Sequence, residues 1–149
     1  MVMNKFQLPS GRLLSRAFSS LSQEVVLWEV LPIPAGVSSL VLTFEAFGVS
    51  GRHGVWLACN GTLVIGASSI PSADVWCDTA PNPVNLTVRA VDGNLHLYNI
   101  WDKGKGRQSQ AWTSGLLVDQ LTNGRRYRCN DIGSHGKFDD LTFRIEWET

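Results

Sequence analysis

The chain carries three carboxylates within ten residues, in the stretch "NDIGSHGKFDD" (130–140), directly before an apolar run. Like charges this close repel unless water, a cation or basic side chains hold them. Three chemistries are open to such a loop. Calcium is a hard ion that takes carboxylate, Asn and backbone carbonyl oxygens. Asn130, Asp131, Asp139 and Asp140 supply such oxygens, and Gly133 and Gly136 let the backbone turn its carbonyls inward. Alternatively the loop is a solvated turn, because Asp and Asn side chains bond nearby backbone amides. Lys137 and the arginines between 125 and 128 would then neutralise the acids as surface pairs. The third chemistry is general acid–base catalysis, with Asp102, Asp131, Asp139 or Asp140 flanking a glycosidic bond.

Other chemistries find less support. Nucleophilic catalysis needs a Ser, Cys or Thr beside an oriented base. The histidines stand at 53, 96 and 135, with no Gly-x-Ser-x-Gly elbow. His96 alternates against Leu95 and Leu97 and reads as a surface position. Cys59, Cys77 and Cys129 have no CxxC spacing, which suits buried thiols better than zinc or a disulfide framework. Phosphate-cradling glycine motifs are missing.

The elements that must position the loop read as strands. In "LTFRIEW" (141–147), Leu141, Phe143, Ile145 and Trp147 alternate with polar residues, as in a half-buried β-strand. "EVVLWEVL" (24–31) and "SSLVLTFEAF" (38–47) read the same way. Asn60-Gly61, Asp92-Gly93 and Asn123-Gly124 each predict a hairpin between strand-like runs, while "SADVWCDTAPNP" (72–83) reads as irregular. The pattern predicts an all-β antiparallel β-sandwich, jelly-roll-like, of eight or nine strands over 24–149. Residues 1–23 form an N-terminal arm, flexible or added as an exchanged or edge strand.

A net charge of zero argues against nucleic acid as a partner. No apolar run approaches the length of a membrane span. The start lacks the apolar core of a secretory signal, so a cytoplasmic location, or release without a signal peptide, is expected. Of six tryptophans, Trp101 and Trp112 adjoin the polar stretch "WDKGKGRQSQ" (101–110) and are candidate platforms for the C–H face of a sugar. Asp102, His53 and His135 would line the rim and bond ligand hydroxyls.

The C-terminal residues resemble the calcium-dependent galactose-binding bacterial lectins. In that family a strand ending in Tyr-Asn-Asp is followed by a loop, Asn-Asn and a final alternating strand. Asn130-Asp131, Asp139-Asp140 and Leu141 to Trp147 stand in those places. "LTFEAFGVSGRHG" and "NGTLVIGAS" are similar to the family's earlier strand–loop and hairpin, and "KFDDLTF" resembles a motif closing other calcium-associated sandwiches. The resemblance implies a calcium ion on Asn130, Asp131, Asp139 and Asp140, with a loop carbonyl near Val49 or Ser50, and a carbohydrate ligand on that ion. Two departures stand against it: "LYNIWD" (97–102) competes for the Tyr-Asn-Asp place, and the spacing from Asp131 to the Asp pair is one residue longer. A carbohydrate- or polyol-binding protein is the leading expectation, with a homo-oligomer to multiply weak single sites. A hydrolase or cyclase on the same scaffold and a structural assembly subunit are the alternatives.

Overall fold

The computed structural model describes residues 8–18, 20–132 and 136–148. Among them there is no helix, and so none long and apolar enough to cross a membrane. Ten strands run in chain order: β1 (Leu13–Leu14), β2 (Val26–Pro32), β3 (Ser39–Phe47), β4 (Arg52–Ile65), β5 (Ser68–Trp76), β6 (Val84–Asp102), β7 (Gln108–Ser109), β8 (Gly115–Leu121), β9 (Gly124–Asn130) and β10 (Leu141–Trp147).

All ten belong to one sheet, in the order β1-β2-β8-β9-β10-β3-β6-β4-β5, with β7 on β6. An added pairing of β2 with β6 closes six of them (β2, β8, β9, β10, β3 and β6) into a barrel. The long β6 is the reason. Its first half pairs with β3 (Leu86 opposite Leu40) and its second half with β2 (Leu97 opposite Glu29). A strand shared in this way joins what would have been two stacked sheets into one closed sheet. The hydrogen bonding therefore forms a barrel where a sandwich was expected, and the strands number ten rather than eight or nine.

Two of the three expected hairpins are corners inside continuous strands. β4 and β6 pair from Arg52–Asp102 through Cys59–Leu95, skip, and resume from Gly61–Ala90 to Ile65–Leu86. Asn60-Gly61 and Asp92-Gly93 sit at that skip, a paired irregularity that bends both strands together. A Cβ at Gly61 would lie 2.0 Å from the Arg89 carbonyl oxygen, so the close approach itself demands glycine. The third hairpin is present, joining β8 to β9, but its two loop residues are Thr122 and Asn123, and Gly124 opens β9 opposite Leu121. The unpredicted hairpin turns at Gly66-Ala67 and makes β5 from a segment read as partly irregular.

The interior is built by alternation. Leu40, Leu42 and Phe44 of β3 meet Leu141, Phe143 and Ile145 of β10, with Tyr127 and Cys129 of β9 and Leu95 and Leu97 of β6. Each buried aliphatic or aromatic side chain contributes about 1.5–3 kcal/mol, so this core dominates the stability. Within the arm, Leu13 and Leu14 pair with Trp28 and Val26 of β2, extending the sheet by one short edge.

Candidate functional site

The chain turns at one end of the barrel through the segments that follow β3, β6 and β9 and precede β8. These four segments are tied together around Asp131. Gly48 donates its N–H to the Asp140 carbonyl at 2.9 Å. Lys103 donates to the Ser50 carbonyl at 3.0 Å. Asn130 donates its side-chain amide to the Thr113 carbonyl at 2.7 Å.

Strand alternation carries the central groups inward. His53 opens the β4 face that continues into Val55 and Leu57, and Asn99 stands between Leu97 and Trp101 on the inner face of β6. Asp131 lies one residue beyond β9. It is 1% exposed, and each of its oxygens is engaged. Oδ2 lies 2.9 Å from His53 Nδ1 and 3.5 Å from Lys103 Nζ. Oδ1 accepts from the Asn99 side-chain amide at 3.1 Å. Buried charge of this kind is tolerated only when paired and hydrogen-bonded, and these three partners supply both.

Asp140 complements the arrangement from the other side of the loop. One of its oxygens accepts the Asp131 backbone N–H at 2.7 Å, and its own N–H donates to the Cys129 carbonyl at 3.1 Å. Two polar atoms nearby are buried with no partner among the described residues: His53 Nε2 and Asn130 Oδ1. The His53–Asp131 pair has the imidazole–carboxylate geometry of a positioned base, but no nucleophile is hydrogen-bonded to Nε2.

The expected site residues divide as follows. His53, Asn130, Asp131 and Asp140 converge, although His53 is buried beneath the loops rather than on their rim. Asp139 is exposed. Asp102 is half-buried and spends one oxygen on the N–H groups of Gly104 and Gly106, at 2.8 and 3.1 Å, shaping its own loop. Trp101 is fully buried and donates its indole N–H to Gln108, so it is packing and not a platform. Trp112 is 70% exposed and remains available as one. His135 lies outside the described residues.

The calcium set is not gathered among the described residues. No group of three or more His, Cys, Asp or Glu side chains there is placed to hold a metal. Asp131 is balanced by Lys103 and bonded by His53 and Asn99, which takes the oxygens a cation would need. The arginines expected to neutralise the loop go elsewhere: Arg125 to Glu29, Arg126 to Glu45 and Arg128 to Asp119. Sequence reasoning missed Asn99, Lys103 and Gly48. Asn99 alone left a signal, as a polar residue on the inner face of an alternating strand.

The remaining titratable groups are quiet. Burial pushes the Cys59 thiol up to about 11 and the Cys77 thiol up to about 12, and Cys129 rises well above the ordinary range for the same reason. All three are free thiols, inert as nucleophiles in that state. His96, expected at the surface, is fully buried because Trp28 closes over it and donates its indole N–H to His96 Nδ1 at 2.9 Å. Burial lowers the His96 pKa.

No family model matches the chain, and no curated protein does. Among solved structures, the chain is similar to a Chromobacterium violaceum lectin in complex with alpha-methyl-fucoside. The match covers 80% of this chain and 96% of the lectin, at 14% identity and a TM-score of 0.46. No residue role is carried across from it.

Proposed function

We propose that the protein is a lectin-like carbohydrate-binding domain that takes its ligand at the loop end, over Asp131. The observation that carries this reading is Trp112, 70% exposed beside the Thr113–Asn130 hydrogen bond that ties its segment to the buried polar cluster. A large exposed indole costs solvation and is normally covered. Its flat face suits the C–H side of a pyranose, while sugar hydroxyls need donors and acceptors held in place. The cluster beneath is rigid enough to hold them, because Asp131 is fixed by His53, Asn99 and Lys103. Phe47, also exposed, borders the same end through its pairing with Leu141. Calcium belongs to this reading as a ligand to be tested on Asp139, Asp140 and the adjoining loop.

The test is acrylamide quenching of tryptophan fluorescence during titration with methyl glycosides of galactose, fucose, mannose and glucose, with calcium and with excess EDTA. The expected result is protection of Trp112 by at least one sugar and loss of that protection in Trp112→Ala, whose exposed position leaves the fold intact. Equal binding by Trp112→Ala would sink the loop-end site. Equal binding with calcium and with EDTA would remove the ion and leave the sugar site standing.

A further inference from the structure

A second binding site lies at the opposite end of the barrel. β3 leads away from the Asp131 loops toward Ser39, and β10 leads away from them toward Trp147. There an open groove of about 830 Å3 runs over the outer face of β6, β3 and β10. That volume falls in the range of about 300–1,000 Å3 typical of ligand clefts.

The register gives the groove its chemistry. Asn85 of β6 and Glu146 of β10 both stand opposite Val41 of β3. On either side of that row, Thr87 stands opposite Ser39 and Arg144 opposite Thr43. The half-buried Trp147 closes one end, held by Asn123, which accepts its N–H at 2.9 Å and donates its side-chain amide to its carbonyl. The lining therefore combines one indole with a row of hydroxyl and amide groups.

Charge narrows the ligand class. Arg144 is the only cation in the lining, and its guanidinium is spent on Glu146 at 2.5 Å and Glu45 at 2.8 Å. An anionic ligand would have to break those pairs. An apolar ligand would leave Asn85, Thr43 and Thr87 without water or partners, at a cost of about 1–3 kcal/mol for each group buried unsatisfied. A neutral, hydroxyl-rich chain with one C–H face meets both conditions.

We propose that this groove binds a neutral oligosaccharide, stacked on Trp147 and hydrogen-bonded by Asn85, Thr43 and Thr87. The proposal stands independently of the loop-end site. With both in place, one chain carries two sugar sites facing apart and can bridge two glycans without oligomerising.

The test is a backbone and indole amide NMR titration with maltotriose, cellotriose, mannotriose and chitotriose at about 10 mM, above the about 1 mM dissociation constant of a weak single site. Inorganic phosphate and a sulfated trisaccharide serve as anionic probes. The expected result is movement of the Trp147 indole and the amides of 39–43 and 85–87 with at least one neutral trisaccharide. Asn85→Lys and Thr43→Arg should each weaken that binding at least tenfold with unchanged melting temperature, and Trp112→Ala should leave it unchanged. Asn85 is exposed, so its variant does not depend on the Trp147 packing. No groove movement with any neutral probe, binding only by the anionic probes, or full affinity in both groove variants would overturn the proposal. Movement confined to residues 48–53, 102–107 and 112–114 would also overturn it, while supporting the loop-end site.

Discussion

Two carboxylates are buried inside this barrel, and they are held in opposite ways. Glu29 is fully buried and clamped by two guanidinium groups. Arg12 reaches it with a bidentate pair at 2.9 and 3.0 Å, and Arg125 at 3.0 Å. These partners are always charged, and their planar forks match the carboxylate. Asp131 is instead held by an imidazole, an amide and a more distant ammonium, beside two polar atoms with no partner. The first arrangement is saturated and resembles a rivet. It joins β2 to β9 beside the seam where β2 and β8 share only Val26 and Leu116. The second keeps unspent hydrogen-bonding capacity at a loop end. Structural charge is closed off by permanent ions, whereas binding sites keep groups that can still change partner.

The largest effect expected from breaking this contrast is at Arg125. Arg125→Ala leaves Glu29 buried with one partner and should cost about 3–5 kcal/mol in urea unfolding. The double replacement Glu29→Leu with Arg125→Leu should recover much of that loss, because an apolar pair leaves no orphaned charge. A single-variant loss below about 1 kcal/mol would mean that Glu29 finds water, and the rivet reading would fail.

Asp131→Asn should cost less, about 1–3 kcal/mol. It removes a charge rather than stranding one, and the Lys103 side chain is 28% exposed and can turn to water. The same variant should abolish sugar protection of Trp112. Unfolding and titration of one preparation would separate the two effects.

Arg12→Ala should cost about 1 kcal/mol, because Arg125 remains on Glu29. Its clearer signature is faster trypsin cleavage at Arg16 as the arm lifts from β2. An unchanged cleavage rate would show that the Leu13–Leu14 pairing holds the arm without the ion pair.

The smallest effect concerns the histidines, which repeat the contrast. His53 shares a carboxylate, while His96 accepts only the Trp28 indole N–H. Burial holds the folded His96 below its ordinary value, so the unfolded chain takes up a proton first as pH falls. Stability should therefore be complete above about pH 6.5 and decline below it, down to the folded value. His96→Gln should flatten that acid slope in unfolding curves taken across the range. An equal slope in both proteins would assign the acid sensitivity to other groups.

The readable parts of the sequence were those where side-chain type and local period agree. β10 was legible because Leu141, Phe143 and Ile145 alternate with polar residues and lie in the core as written. The thiols were legible as buried because they stand among apolar residues without metal spacing. Asn60-Gly61 and Asp92-Gly93 misled because the dipeptides that favour a tight hairpin also suit a bulged corner. Which one forms depends on whether the flanking runs pair with each other or with a third strand. His96 misled because alternation gives the face a residue occupies, not what covers that face.

By itself, then, the sequence determined the all-β class, the alternating core strands and the polar character of the loop from Asn130 to Asp140. These follow from interactions among residues close in the chain. Only the tertiary structure decided that β6 is shared by two neighbours and closes a barrel, that Trp101 is buried and Trp112 exposed, and that Asp131 meets His53, Asn99 and Lys103. It also decided that Arg144 is already paired in the groove beneath Trp147. Each of those outcomes depends on partners dozens of residues apart, and no local period or propensity encodes which distant charge a buried carboxylate will find.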